Sequence, residues 1–173
     1  MDASETPDPG PSSNPTGRTA ETPEARARSR ALKVLARREK SRAGLDQLLR
    51  RAGIESAVAR TVLDQLEAEG LVDDRRYCRL YLSQQARLRP RSSRLLARDL
   101  KQEGIATEVI SQALADLEQE ISEADLAVAA ARKKARVCRG DRERLERLLR
   151  ARGFGQADVR EAVRLVTGEA GAE

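Results

Sequence analysis

Two rows of cations stand out in this chain as groups able to bind a charged partner. Arg26, Arg30, Lys33, Arg37 and Lys40 follow a 4,3,4,3 spacing, and Arg91, Arg94, Arg98 and Lys101 follow 3,4,3. On a helix such spacing lines each row along one side. The chemistry of such a row is electrostatic: guanidinium and ammonium groups hold phosphates or carboxylates. Leu96 and Leu100 project opposite the second row, which directs that row to solvent. An ordinary solvated face paired with acidic neighbours is the competing reading of any single arginine.

Covalent chemistry has few candidates. The chain has no histidine, which removes the commonest general base, and it lacks a Gly-rich phosphate loop, a G-x-S-x-G elbow and any apolar cluster of carboxylates. Cys78 and Cys138 stand far apart and form no C-x-x-C pair, so they read as buried thiols, with neither zinc nor another cofactor implied. Two Tyr, one Phe and no Trp leave no stacking platform for single-stranded bases. Tyr77 and Tyr81, one helical turn apart, read as core residues. The expectation is a non-enzymatic binding protein.

Stepping outward to the elements, three stretches share one template. Eight and four residues before Gly53, Gly104 and Gly153 stand Leu45, Leu96 and Leu145, then Leu49, Leu100 and Leu149. One residue after come Ile54, Ile105 and Phe154, ten after come Leu63, Leu114 and Val163, and thirteen after come Leu66, Leu117 and Val166. Periods of 51 and 49 residues suit a helical solenoid whose units bury apolar faces against one another. The abundance of Ala, Leu, Arg and Glu predicts an all-α fold of three tandem three-helix repeats, elongated and curved.

The expected helices are 25–39, 42–52 and 55–69, then 74–87, 91–103 and 106–118, then 123–138, 142–152 and 156–166. The repeats span 26–70, 71–120 and 121–167. Residues 1–25, rich in Pro, Ser and Thr, and residues 168–173 are expected to be disordered. Each repeat glycine is expected at the left-handed C′ position of a Schellman cap, touching Leu at C3 through the residue at C″. Ser122 with Asp125 fits a capping box, Ile121 with Leu126 and Val72 with Tyr77 fit hydrophobic staples, and Pro90 suits N1 of the fifth helix.

Charge follows the repeat. Residues 26–51 carry ten basic and two acidic side chains, 53–74 one and six, 75–101 nine and one, 102–125 none and seven, and 126–152 ten and three. The net charge of +5 conceals this alternation, which predicts a basic and an acidic face. With no apolar run of eighteen residues and no secretory start, a soluble cytoplasmic protein without a membrane partner is expected, monomeric by default.

The run Gly70-Leu71-Val72-Asp73-Asp74-Arg75-Arg76-Tyr77 lies between Leu49-Arg50-Arg51-Ala52-Gly53-Ile54 and Leu100-Lys101-Gln102-Glu103-Gly104-Ile105. With Ala31-Leu32-Lys33-Val34-Leu35-Ala36-Arg37-Arg38-Glu39 before it and Arg152-Gly153-Phe154 after it, this series resembles the RecX family of recombination regulators over about residues 28–166. Tyr77 stands where that family usually has Phe. The resemblance implies three three-helix repeats and a partner, the RecA recombinase filament, whose ATPase, strand exchange and co-protease activity are inhibited. DNA alone would be bound weakly and without sequence preference. No family motif assigns contact residues, so the candidates are Arg30, Lys33, Arg37, Arg91, Arg94, Arg98 and Lys101 from the rows, plus Arg75, Arg76 and Arg79. Two other functions compete: a helix-turn-helix DNA reader, and a helical adaptor for another acidic partner. The reader fits poorly, because 106–118 holds Glu108, Asp116 and Glu118 and no Lys or Arg.

Overall fold

The structure is a computed structural model that describes residues 21–168. The remaining residues of both expected disordered ends lie outside the described residues. The elements are α1 (Pro23–Leu35), α2 (Arg42–Arg51), α3 (Ser56–Ala68), α4 (Asp74–Leu88), α5 (Ser93–Gln102), α6 (Thr107–Glu120), α7 (Glu123–Cys138), α8 (Arg142–Ala151) and α9 (Gln156–Gly168). No strand occurs among the described residues, and the all-α tandem arrangement is as the template predicts.

Each consecutive trio encloses its own core. In the first, Ala27 and Ala31 of α1 meet Leu45 and Leu49 of α2 and Val62, Leu63 and Leu66 of α3. In the second, Cys78 and Leu82 meet Leu96, Leu100, Ile105, Ile110 and Leu117. In the third, Leu126, Ala127 and Ala130 meet Leu145, Leu149, Phe154, Val159 and Val163. Both leucines before each glycine are therefore buried, while Leu114 and Val166 reach only the core margin. Burial pushes the Cys78 thiol up to about 11, helped by the charges of Asp74 and Asp73, so it is an inert packing group. Cys138 is buried and free as well.

The second helices end as the glycines require. Ile54 N–H donates to the Leu49 carbonyl at 3.1 Å and Gly53 N–H to that of Arg50 at 2.9 Å, the two bonds of a Schellman motif. The pattern recurs at Gly104 and Gly153, and the three φ angles are +78°, +78° and +87°. Ser122 Oγ caps α7 by accepting from Asp125 N–H at 3.1 Å, and it donates to the Asp125 carboxylate at 2.6 Å.

Several helix ends differ from expectation, α6 and α9 running two residues further to Glu120 and Gly168, and three of the differences have visible causes. Helix α1 begins at Pro23, because Thr22 accepts from Ala25 N–H at 3.1 Å and so makes Pro23 the first helical residue. It also stops at Leu35 instead of 39, and residues 36–40 become the connection that carries Glu39 to Arg76. Pro90 is not at N1 of α5: Ser92 is the N-cap, accepting from Leu95 N–H at 3.3 Å, and Pro90 precedes it by two. Ser41, Ser92 and Asp141 all stand twelve residues before their glycine and all cap a second helix, a signal present in the template.

All extensive helix packing lies within a trio, and the trios meet through small joints. Ser41 Oγ donates to the Glu103 carbonyl at 3.2 Å, and Ser92 N–H donates to the Arg152 carbonyl at 3.0 Å. These bonds set the C-terminus of α5 on the N-terminus of α2, and that of α8 on that of α5. A carboxylate from the following unit closes each joint: Asp74 accepts from Arg42 N–H at 2.8 Å, and Glu123 from Ser93 N–H at 3.0 Å. The negative charge suits the positive end of the helix dipole.

Candidate functional site

An open cleft of about 1280 Å³ lies beside α1 and α2. Arg26, Arg30, Lys33, Arg37, Arg38, Lys40 and Arg51 line it, against Glu21 and Glu103 as its acids. Val34, Leu48 and Ile54 supply apolar lining. Helix α1 aligns Arg26, Arg30 and Lys33; Arg37 and Lys40 lie beyond its end, so the five-residue helical row is broken, yet both still face the cleft. None of these seven cations forms an ion pair among the described residues. An uncompensated set of this size raises the local potential for anions.

Other cations serve the fold. Arg28 of α1 pairs with Glu69 at 2.6 Å, and Arg42 of α2 holds Asp64 and Glu67 of α3. The acidic third helix thus neutralises part of its own unit, as the competing reading of the arginines anticipates. Arg76 binds Glu39 at 2.9 Å and the carbonyls of Gly70 and Leu71 at 3.0 and 3.2 Å. It ties the first unit to the second. Beside it, hydrogen bonds from Arg76 and Arg75 N–H hold the Asp73 carboxyl below its ordinary range, as an N-cap should be.

The second row also divides. Arg94, Arg98 and Lys101 of α5 are exposed, with Leu96 and Leu100 fully buried on the other side. Arg91 precedes the helix and does not continue that row to solvent. Its guanidinium donates to Asp99 at 2.5 Å and to Tyr81 Oη at 3.1 Å, and is only partly exposed. Close by, burial first and then the charges of Arg91 and Arg89 hold the Arg152 guanidinium below its usual range, while it donates to the Pro90 carbonyl at 2.9 Å. Arg75 and Arg79 are exposed on α4 and form no ion pair among the described residues.

The structure thus gathers Arg30, Lys33 and Arg37 in one cleft with Arg26 and Lys40, which stand outside the contact candidates, and with Arg38 and Arg51, which belong to neither row. Arg26 and Lys40 belong to the first row, whereas Arg51 comes from α2 and is brought in by packing alone. Glu103, the C-cap of α5, lies on the cleft wall, so the α5 row ends two residues from it at Lys101. Tyr77 borders the same region: burial chiefly raises its phenol, and the charges of Glu103 and Arg38 act on it too.

These features define a class: an all-helical tandem-repeat protein whose conspicuous surface groups are cations, with no metal-ligand cluster and no helix long and apolar enough to cross a membrane among the described residues. Family models for the first and second three-helix domains of RecX match residues 27–66 and 73–114. The regulatory protein RecX of Mycolicibacterium smegmatis is 34% identical over 159 residues, covering 90% of this chain and 78% of its own length. That of Chlorobaculum tepidum is 32% identical over 143 residues, covering 80% and 87%. The crystal structure of RecX from Lactobacillus salivarius shares the fold at a TM-score of 0.69 and 17% identity, covering 83% of this chain and 96% of that one. The chain belongs to the RecX family of regulatory proteins.

Proposed function

We propose that this protein regulates a RecA recombinase by lying on its DNA filament and restraining ATP hydrolysis, strand exchange and co-protease activity, without chemistry of its own. The observation that carries this reading is the cleft of seven unpaired cations, which the α5 row extends toward the middle unit. Such an array favours a polyanion over a small ligand, because its charges are spread along α1, the connection after it and α2 instead of converging on one point. Three linked units also present a surface long enough to follow a filament groove. Reading duplex DNA through a third helix is disfavoured, since α6 has no basic residue to meet phosphates. The protein acts where the chromosome is, in the cytoplasm, as a monomer.

The test is the DNA-dependent ATPase of RecA with the wild type and with Arg30→Ala, Lys33→Ala, Arg37→Ala combined. The combined variant should need about tenfold more protein for half-inhibition. Its binding to filaments should depend less steeply on salt, by about 0.7 in the log-log slope per lost phosphate contact on single-stranded DNA. Equal inhibition across a salt series would reject the cleft as the contact surface.

A further inference from the structure

The two joints between units follow one design but carry opposite charge at one position. Ser41 and Ser92 correspond in the template, so Arg38 and Lys40 correspond to Arg89 and Arg91, and Glu103 corresponds to Arg152. Glu103 and Arg152 each stand one residue before their glycine. Their carbonyls accept from the serine of the preceding unit, from Ser41 Oγ at 3.2 Å and from Ser92 N–H at 3.0 Å. At the first joint the arriving side chain is an acid, and Glu103 lies in the cleft wall with Arg38 and Lys40. At the second joint it is a further cation.

Arg152 Nη1 donates to the Pro90 carbonyl at 2.9 Å, which seats this guanidinium on the residue between Arg89 and Arg91. The carboxylate that meets this cluster is Asp99, and Arg91 holds it through Nη2 at 2.5 Å. Arg89 and Arg152 form no ion pair among the described residues. A half-buried guanidinium among like charges is stabilised by an anion that comes to it from outside. The donors for one are in place: only Nη2 of Arg91 and Nη1 of Arg152 are spent on the fold, and Arg89 is exposed with none spent. Guanidinium forks match the oxygens of a phosphate, which can be shared among several arginines.

Helix α5 connects this cluster to the cleft. Lys101, near its C-terminus, is two residues from Glu103 on the cleft wall, and Arg91 directly precedes its N-cap at the other end. Its 10 residues at 1.5 Å each set the two places about 15 Å apart, a span that a nucleic-acid strand bridges with a phosphate at each end.

We propose that the second joint is a phosphate-binding site, in which Arg89, Arg91 and Arg152 hold one phosphate of a nucleic-acid backbone while the cleft holds others of the same strand. The strand rests on the function proposed above. The anion site does not.

The test uses the full chain without RecA. Melting is followed in sodium chloride and in sodium phosphate at matched ionic strength, and binding to a fluorescent oligothymidylate is followed across a salt series. Phosphate should raise the melting temperature of the wild type and of the combined variant Arg30→Ala, Lys33→Ala, Arg37→Ala alike. Arg89→Gln removes a side chain that has no partner among the described residues, so it should melt as the wild type does in chloride and gain less from phosphate. Arg152→Glu installs the acid that the first joint carries; it should keep its melting temperature in chloride and lose the phosphate response. Both variants should bind the oligonucleotide about tenfold more weakly, with a log-log salt slope shallower by about 0.7. Equal phosphate stabilisation of the wild type, Arg89→Gln and Arg152→Glu would overturn the site. So would an Arg152→Glu protein that unfolds in chloride while Arg89→Gln matches the wild type throughout, since Arg152 would then only support the Pro90 carbonyl. A phosphate response lost in both variants with oligonucleotide binding unchanged would assign the joint to free phosphate and overturn the backbone contact. Weakened oligonucleotide binding in both variants of a protein that fails to inhibit RecA would strike the recombinase reading and support the phosphate site.

Discussion

Gly53, Gly104 and Gly153 share one backbone conformation and differ in what surrounds it. A Cβ on Gly53 would meet nothing within 4 Å. On Gly104 it would stand 2.5 Å from Ala43 Cβ, and on Gly153 it would collide with Ser92 Oγ and Leu95. The last two glycines therefore end a helix and also admit the neighbouring unit. Alanine in the left-handed region costs about 1 kcal/mol from conformation alone. Gly53→Ala should lose about that much in urea unfolding, while Gly104→Ala and Gly153→Ala should lose distinctly more as their joints are forced apart. Equal losses at all three positions would show that the joint tolerates the added carbon.

At the scale of the element, α5 shows how spacing can mislead. Arg91, Arg94, Arg98 and Lys101 have one periodicity, but the helix begins only at Ser93, after a cap on Ser92. Arg91 turns inward to Asp99 and Tyr81. Removing it leaves the half-buried Asp99 carboxylate with the Tyr81 hydroxyl and a distant Arg98 but no close cation, so Arg91→Ala should lower stability by about 1 kcal/mol. Arg94→Ala, Arg98→Ala and Lys101→Ala combined should stay within about 0.5 kcal/mol of wild type, since exposed substitutions to a good helix former are nearly neutral. Thermal melts of the two variants side by side decide this. Only the second set is a clean probe of binding.

For the whole molecule the joints matter more than the units. Ala86 and Ile121 pack against both the second and third cores, giving that junction apolar contact. Between the first and second units the contacts are chiefly polar: Ser41 with Glu103, Asp74 with the α2 N-terminus, and Arg76 with Glu39. Asp74→Ala with Arg76→Ala should therefore release the first unit while leaving its helices intact. Small-angle scattering should show a larger radius of gyration at unchanged helicity, and filament affinity should fall because the cleft and the α5 row no longer share a fixed geometry. Glu123→Ala should expand the molecule less. Identical scattering from the double variant and the wild type would place the strength of the first joint elsewhere. Where two units meet, Ser41 and Ser92 are buried; the third unit has Asp141 at this place, exposed, and its carboxylate could not make the bond that Ser41 Oγ donates to the Glu103 carbonyl.

The helical class, the three-unit template, the caps at the glycines and the family are legible in the order of the residues. Each of these depends on contacts within about twenty residues, where apolar periodicity and backbone preference are written directly in the order of the side chains. Even so, Thr22-Pro23 and the shared Ser41 and Ser92 positions held start signals that a simple count of row spacing passed over. Which arginines are held in pairs depends instead on how the helices pack. Arg76 and Arg91 look like Arg75 and Arg94 in the chain, and what separates them is a carboxylate 37 or 8 residues away. The cleft needed packing for the same reason: Arg51 and Glu103 join α1 only when α2 folds back on it and the second unit docks end to end. Charge pairing is set by distance in space, and a linear spacing rule sees only the charges on its own helix.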